Sequence, residues 1–118
     1  MTTELPAPVA AYIAATNRGD LDAMMASFTD HALVNDHSNE FIGPAAIRDW
    51  AQREIVGDRV TLQVTAAAVR GNSAAVAAVI DGDFDRTGLP DPLVLAFYFA
   101  FSGKRIDQLV IVHNRPAA

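Results

Sequence analysis

The sequence predicts an α+β fold, with helices first and a meander of strands after them. Two observations carry this. The first half repeats its apolar residues at helical spacing, and the second half holds four strand-length segments separated by turn residues. A third observation bounds the size. At 118 residues the chain has material for one domain, because two cores would each be too small to offset chain entropy.

Pro6 and Pro8 lead into Val9, Tyr12, Ile13 and Thr16, which share one helical face, and Asn17-Arg18-Gly19 supplies a stop. This predicts a helix over 7–18. Asp20 is a good cap for a second helix, since its carboxylate can accept orphan backbone N–H groups. Leu21, Met24, Met25 and Phe28 follow at i, i+3, i+4 and i+7, so that helix is expected to end near Phe28. His31 to Asp36 reads as a short strand running into a polar loop, His37 to Glu40. Gly43-Pro44 opens a third helix, with Ile47, Trp50, Ala51 and Ile55 as its apolar stripe, and Gly57 closes it.

The period then changes. Arg59 to Val69, Ala74 to Phe84, Leu93 to Phe101 and Ile106 to Asn114 are strand-like, joined by Arg70-Gly71-Asn72, Arg86 to Pro90 and Ser102-Gly103-Lys104. Three hairpins joining four strands is the economical reading. The segment LVLAFYFAF is apolar on both faces: Leu95, Phe97, Phe99 and Phe101 point one way, and Val94, Ala96, Tyr98 and Ala100 the other. One face can take the helices. The other needs a second cover, so a homodimer packed sheet to sheet is expected.

Composition narrows the function. The chain is 51% hydrophobic, has no cysteine, and sets nine Lys and Arg against 14 Asp and Glu, for a formal charge of −5. Disulfides, thiolate nucleophiles and Cys-based metal sites are excluded. Dispersed basic residues argue against nucleic acid as a partner and leave small neutral or cationic ligands or a protein. No apolar stretch approaches the roughly 18–20 residues of a membrane span, and MTTELPAPV lacks the regions of a signal peptide, so no membrane partner and a cytoplasmic location are expected. G-x-S-x-G, P-loop and G-x-G-x-x-G signatures are missing.

The stretch Tyr12 to Trp50 resembles the first half of the NTF2-like superfamily, especially its ketosteroid isomerase and SnoaL-like branches. The resemblance rests on Tyr12, Asn17 with Gly19-Asp20-Leu21-Asp22, Phe28 and Asp30, Asp36, and Gly43 with Ala46-Ile47 and Trp50. The order of elements matches over almost the whole chain. The resemblance implies three N-terminal helices packed on a curved, mainly antiparallel sheet around a cone-shaped pocket, a cup that hosts isomerases, cyclases, hydrolases, dehydratases and plain binding proteins.

By that resemblance Asp36 occupies the position of the isomerases' general base, where partial desolvation suits removal of a proton next to a carbonyl. Its alternative is a loop-capping aspartate. Tyr12 matches the oxyanion-stabilising tyrosine, or else is an amphipathic core residue. Ala96 falls where isomerases carry a second donor, a protonated carboxylic acid, and alanine cannot donate. The same extension puts Tyr98 and His113 on the inner face, with Ala96 and Ala100 on one strand and Leu109 and Ile111 on the next. His113 is then the acid or donor to pair with Asp36, or a satisfied core histidine.

Asn35 and Asp36 face opposite ways, and Asp36 is the one expected in the pocket. His37 and Glu40 near Asp36 are too weakly spaced for a metal site, so no metal and no cofactor are expected, and His37 reads as a solvated loop residue. Trp50, Phe28 and Met24 are core residues that can also wall the cup. Asp81, Asp83 and Asp85 recur with period two and read as an exposed acidic strand edge. The expected activity is binding of a small, mostly apolar carbonyl compound with enolate-type proton transfer. The alternatives are a non-catalytic ligand-binding or dimerisation module, and an epoxide-hydrolase-like enzyme, whose Asp-Arg-Asp set is not evident because Arg48 is expected to face outward.

Overall fold

The computed structural model describes residues 4–113. Helix α1 (Ala7–Arg18) buries Val9, Tyr12, Ile13 and Thr16 as its spacing requires. It ends at Gly19, whose φ of 66° lets the Gly19 and Asp20 N–H groups reach the Thr16 and Ala15 carbonyls at 3.0 Å each. Asp20 then caps α2 (Leu21–Ala26) by accepting from the Ala23 N–H at 3.1 Å. Helix α2 is shorter than expected, because Phe28 already belongs to β1 (Phe28–Asp36).

The loop expected over His37 to Glu40 is a tight turn. Asp36 pairs with Asn39 across His37 and Ser38, whose φ values of 50° and 75° are the left-handed pair a two-residue hairpin demands. The Asn35 side chain accepts from the Ser38 N–H at 3.0 Å and steadies it. A short strand β2 (Asn39–Ile42) follows, then α3 (Pro44–Trp50), which widens into a π-helical segment, Ala51–Val56. Gly57 closes that segment because a Cβ there would sit 2.7 Å from the Arg53 carbonyl oxygen.

Strands β3 (Thr61–Arg70), β4 (Ser73–Asp81), β5 (Val94–Ser102) and β6 (Arg105–His113) form the expected meander; Asn114 lies outside the described residues. The six-stranded sheet runs β2-β1-β6-β5-β4-β3, antiparallel except where β1 lies parallel to β6. Strand β4 stops at Asp81, so the three acids do not share a strand edge. Asp81 holds Arg86 and the Gly82 N–H, Asp83 lies 3.6 Å from Arg59, and Asp85 accepts from the Thr87 N–H at 2.9 Å. They shape the long β4–β5 loop.

The helices cover one sheet face. Trp50, Tyr12, Met24, Ile47, Ile106 and Leu109 are fully buried there, each large aliphatic or aromatic side chain contributing about 1.5–3 kcal/mol by leaving water. Helix α1 is also tied to the free edge of β3: the Asn17 amide donates to the Leu62 carbonyl at 3.0 Å and accepts from the Leu62 N–H at 2.7 Å. No described helix is long and apolar enough to cross a membrane.

Candidate functional site

Between the helices and the inner sheet face lies a cavity of about 330 Å³. Its walls are mostly apolar: Leu62, Ile80, Leu93, Leu95, Phe97 and Ile111, with Phe84 and Leu89 folded in from the β4–β5 loop. Tyr12, Thr16, Asp36, His37, Glu54, Asp58 and His113 supply the polar groups, and no Lys or Arg lines it.

Asp36 sits at the end of β1, paired across to Ile111 on β6, and faces the cavity as expected. Both carboxylate oxygens are engaged. The Trp50 indole N–H donates to Oδ2 at 3.0 Å, and His37 Nδ1 lies 2.6 Å from Oδ1. An ionised carboxylate can only accept, so the hydrogen in the second bond rides on Nδ1. The backbone places His37: its N–H reaches the Ile111 carbonyl at 3.0 Å, continuing the β1–β6 ladder one residue into the turn. That brings its ring edge-to-face with His113, centroids 4.6 Å apart.

Tyr12 projects from α1 into the same cavity and packs edge-on against Phe28 and Phe99 at 5.7 and 5.8 Å. Burial pushes its phenol well above the ordinary tyrosine range, a hydrogen bond with Thr16 opposes this, and the Asp36 charge adds to it. The phenol therefore stays protonated and is a donor at any ordinary pH.

Several residues stand elsewhere than expected. Ala96 and Tyr98 face away from the cavity, and Tyr98 is 49% exposed. Helices and cup share one sheet face, so it is the odd-numbered residues of β5, Leu95 and Phe97, that look inward, opposite His113 and Ile111. Trp50 reaches the site only through its bond to Asp36; its ring is sealed in the core beside Phe41, centroids 6.1 Å apart. Met24 and Phe28 are core residues outside the cavity wall. Arg48 pairs with Asp22 on the surface at 2.7 Å and does not line the cup.

The main residue missed is His37, which is a partner of Asp36 and a wall of the cavity. The signal available was the run N-D-H-S-N between apolar segments, which suits a two-residue turn with its first position beside the acid. Glu54 and Asp58 were missed as well; both line the cavity beside Ile55, Glu54 four residues after Trp50 on the face of the apolar stripe, where its charge hid it from a search for apolar periodicity. Among the described residues no cluster of three His, Cys, Asp or Glu is arranged to hold a metal ion.

The family model for the SnoaL-like domain matches residues 9–109. No curated protein matches the chain significantly in sequence. Among solved structures, a candidate polyketide cyclase from Sinorhizobium meliloti is 28% identical over 92% of this chain and 95% of its own, with a TM-score of 0.81. A candidate polyketide cyclase from Xanthomonas campestris is 26% identical over 91% of this chain and 87% of its own, TM-score 0.74. A protein of ketosteroid-isomerase-like fold from Catenulispora acidiphila, in complex with trimethylamine, is 22% identical over 93% of this chain and 87% of its own, TM-score 0.78.

Proposed function

Since the chain belongs to the SnoaL-like domain family of the NTF2-like superfamily, we propose that its cavity binds a small, mostly apolar carbonyl compound and removes a proton from the carbon beside the carbonyl. The acceptor is the Asp36–His37 pair, and the Tyr12 hydroxyl donates to the oxyanion of the resulting enolate. One observation carries this reading: a carboxylate bonded to an imidazole at 2.6 Å opens on the same apolar cavity as a phenol held neutral by burial. A dry wall strengthens both the proton transfer and the donor bond.

Isomerisation, aldol cyclisation and dehydration share that enolate. The candidate cyclase names of two relatives favour the second. Efficient steroid isomerisation is not expected. The inner wall of β5 offers Leu95 and Phe97, neither of which can donate, and lacking one oxyanion donor typically costs about 10²–10³ in rate. The place of His113 beside His37 makes it the candidate second donor. Acidic groups on the wall without a cation favour neutral or cationic ligands over anions.

The outer sheet face supports the further proposal of a homodimer. Ala66, Ala68, Ala75, Ala77, Ala96 and Tyr98 form a shallow, uncharged surface there that a second copy would cover.

The test is hydrogen exchange. Apolar ketones that raise the melting temperature should exchange their α-hydrogens in D₂O with the wild-type protein. D36N should bind them with similar affinity and exchange them at least about 10²-fold more slowly. Ligands that bind to the wild type without any exchange would make the protein a binding module instead.

A further inference from the structure

The proton-accepting pair contains two candidate atoms, and the geometry points to the one that the family resemblance does not mark: we infer that the proton is taken at His37 Nε2, with Asp36 as its positioning residue. The inference rests on the function proposed above and deepens it. Asp36 is held on both sides by N–H donors, Trp50 at 3.0 Å and His37 Nδ1 at 2.6 Å. Both carboxylate oxygens thus already accept a hydrogen bond. With the hydrogen fixed on Nδ1, the lone pair resides on Nε2, and a positive charge arriving on the ring is met at once by the carboxylate.

The backbone supports the assignment independently. His37 holds a φ of 50°, the left-handed conformation that the first position of the two-residue turn demands and that histidine tolerates better than most side chains. The His37 N–H bond to Ile111 anchors that ring where β1 and β6 meet, against the cavity wall. Its side chain is 36% exposed against 20% for Asp36, so it also reaches solvent at the cavity mouth.

The step balances. The C–H bond next to the carbonyl breaks and its proton goes to Nε2. The electron pair moves onto the carbonyl oxygen, which accepts from the Tyr12 hydroxyl, while His37 becomes an imidazolium paired with Asp36. Return of the proton to the same or another carbon, or its exchange with solvent, restores the neutral ring. Of the titratable groups, Asp36 on β1 and His113 on β6 contact His37, and Tyr12 on α1, Glu54 on the π-helical segment and Asp58 just after it line the same cavity.

The experiment follows α-hydrogen exchange of 2-tetralone in D₂O by proton NMR, with the buffer rate subtracted. H37N suits the backbone, because asparagine tolerates positive φ. It should slow exchange at least about 10²-fold with ketone affinity unchanged. H37G keeps the turn as well, and added imidazole should restore a measurable part of its rate. If H37N stays within about threefold of wild type while D36N is inactive, or if imidazole restores nothing to H37G, Asp36 accepts the proton and this inference falls while the proposed function stands. A wild-type protein that exchanges 2-tetralone no faster than buffer overturns both.

Discussion

Trp50 donates its indole hydrogen to Asp36 Oδ2 at 3.0 Å from a ring with no solvent exposure. The carboxylate that faces the cavity is therefore held from behind by the core. W50F keeps an aromatic ring but removes the donor and some volume, and should cost about 1–3 kcal/mol in urea denaturation. Exchange of bound ketones should weaken with it, because Asp36 would be free to turn. A variant as stable as the wild type would show that the bond is not a structural one.

Tyr12 makes stability depend on alkaline pH. Its folded-state pKa is raised by burial, with the Asp36 charge adding and Thr16 opposing. The unfolded chain ionises near pH 10 and the folded one does not. The contribution is thus fully present below about pH 10 and is lost as pH rises further. Urea midpoints at pH 8, 10 and 11 should fall steeply for wild type and less steeply for Y12F. Parallel slopes would contradict the burial argument.

Asn17 satisfies both backbone groups of Leu62 on the edge of β3. N17A would leave a partly buried N–H and C=O unmatched and should cost about 1–3 kcal/mol. Hydrogen exchange at the Leu62 amide should rise with it. An unchanged Leu62 amide would mean that β3 holds its edge without α1.

A charge placed in the centre of the outer sheet face should separate the proposed dimer. Ala77 lies there, paired with Ala96 and Ala66. Sedimentation of wild type should give twice the chain mass, and A77R should give the chain mass while keeping the wild-type circular dichroism spectrum and melting at a lower temperature. A monomeric wild type at micromolar concentration would remove the dimer from the proposed function.

Periodicity in the sequence reveals what one covered face dictates. Helix α1 shows its stripe because only one side of it meets the core, and Asp20 and Gly19 mark their helix ends by chemistry that acts locally. Strand β5 shows the limit. Both its faces are apolar, so alternation separates Leu95 and Phe97 from Ala96 and Tyr98 but does not say which set looks inward; the helix layer decides that. Strand β2 has four residues, three of them exposed, too few to show a period. His37 has no legible role in the sequence because its place depends on a left-handed turn and on a ladder with β6, more than 70 positions away.

That ladder has a consequence for how the protein is made. The parallel pairing of β1 with β6 joins the first strand of the sheet to the sixth, so Asp36 and His37 gain their neighbours Ile111 and His113 only once β6 exists. A ribosome-bound chain ending before Arg105 carries the pair and most of the cavity wall, but lacks β6, the strand that ties the β1–β2 hairpin to the meander. The site is therefore assembled only after β6 has been made. A nascent chain can fold its helices and hairpins beforehand without acquiring any reactive centre.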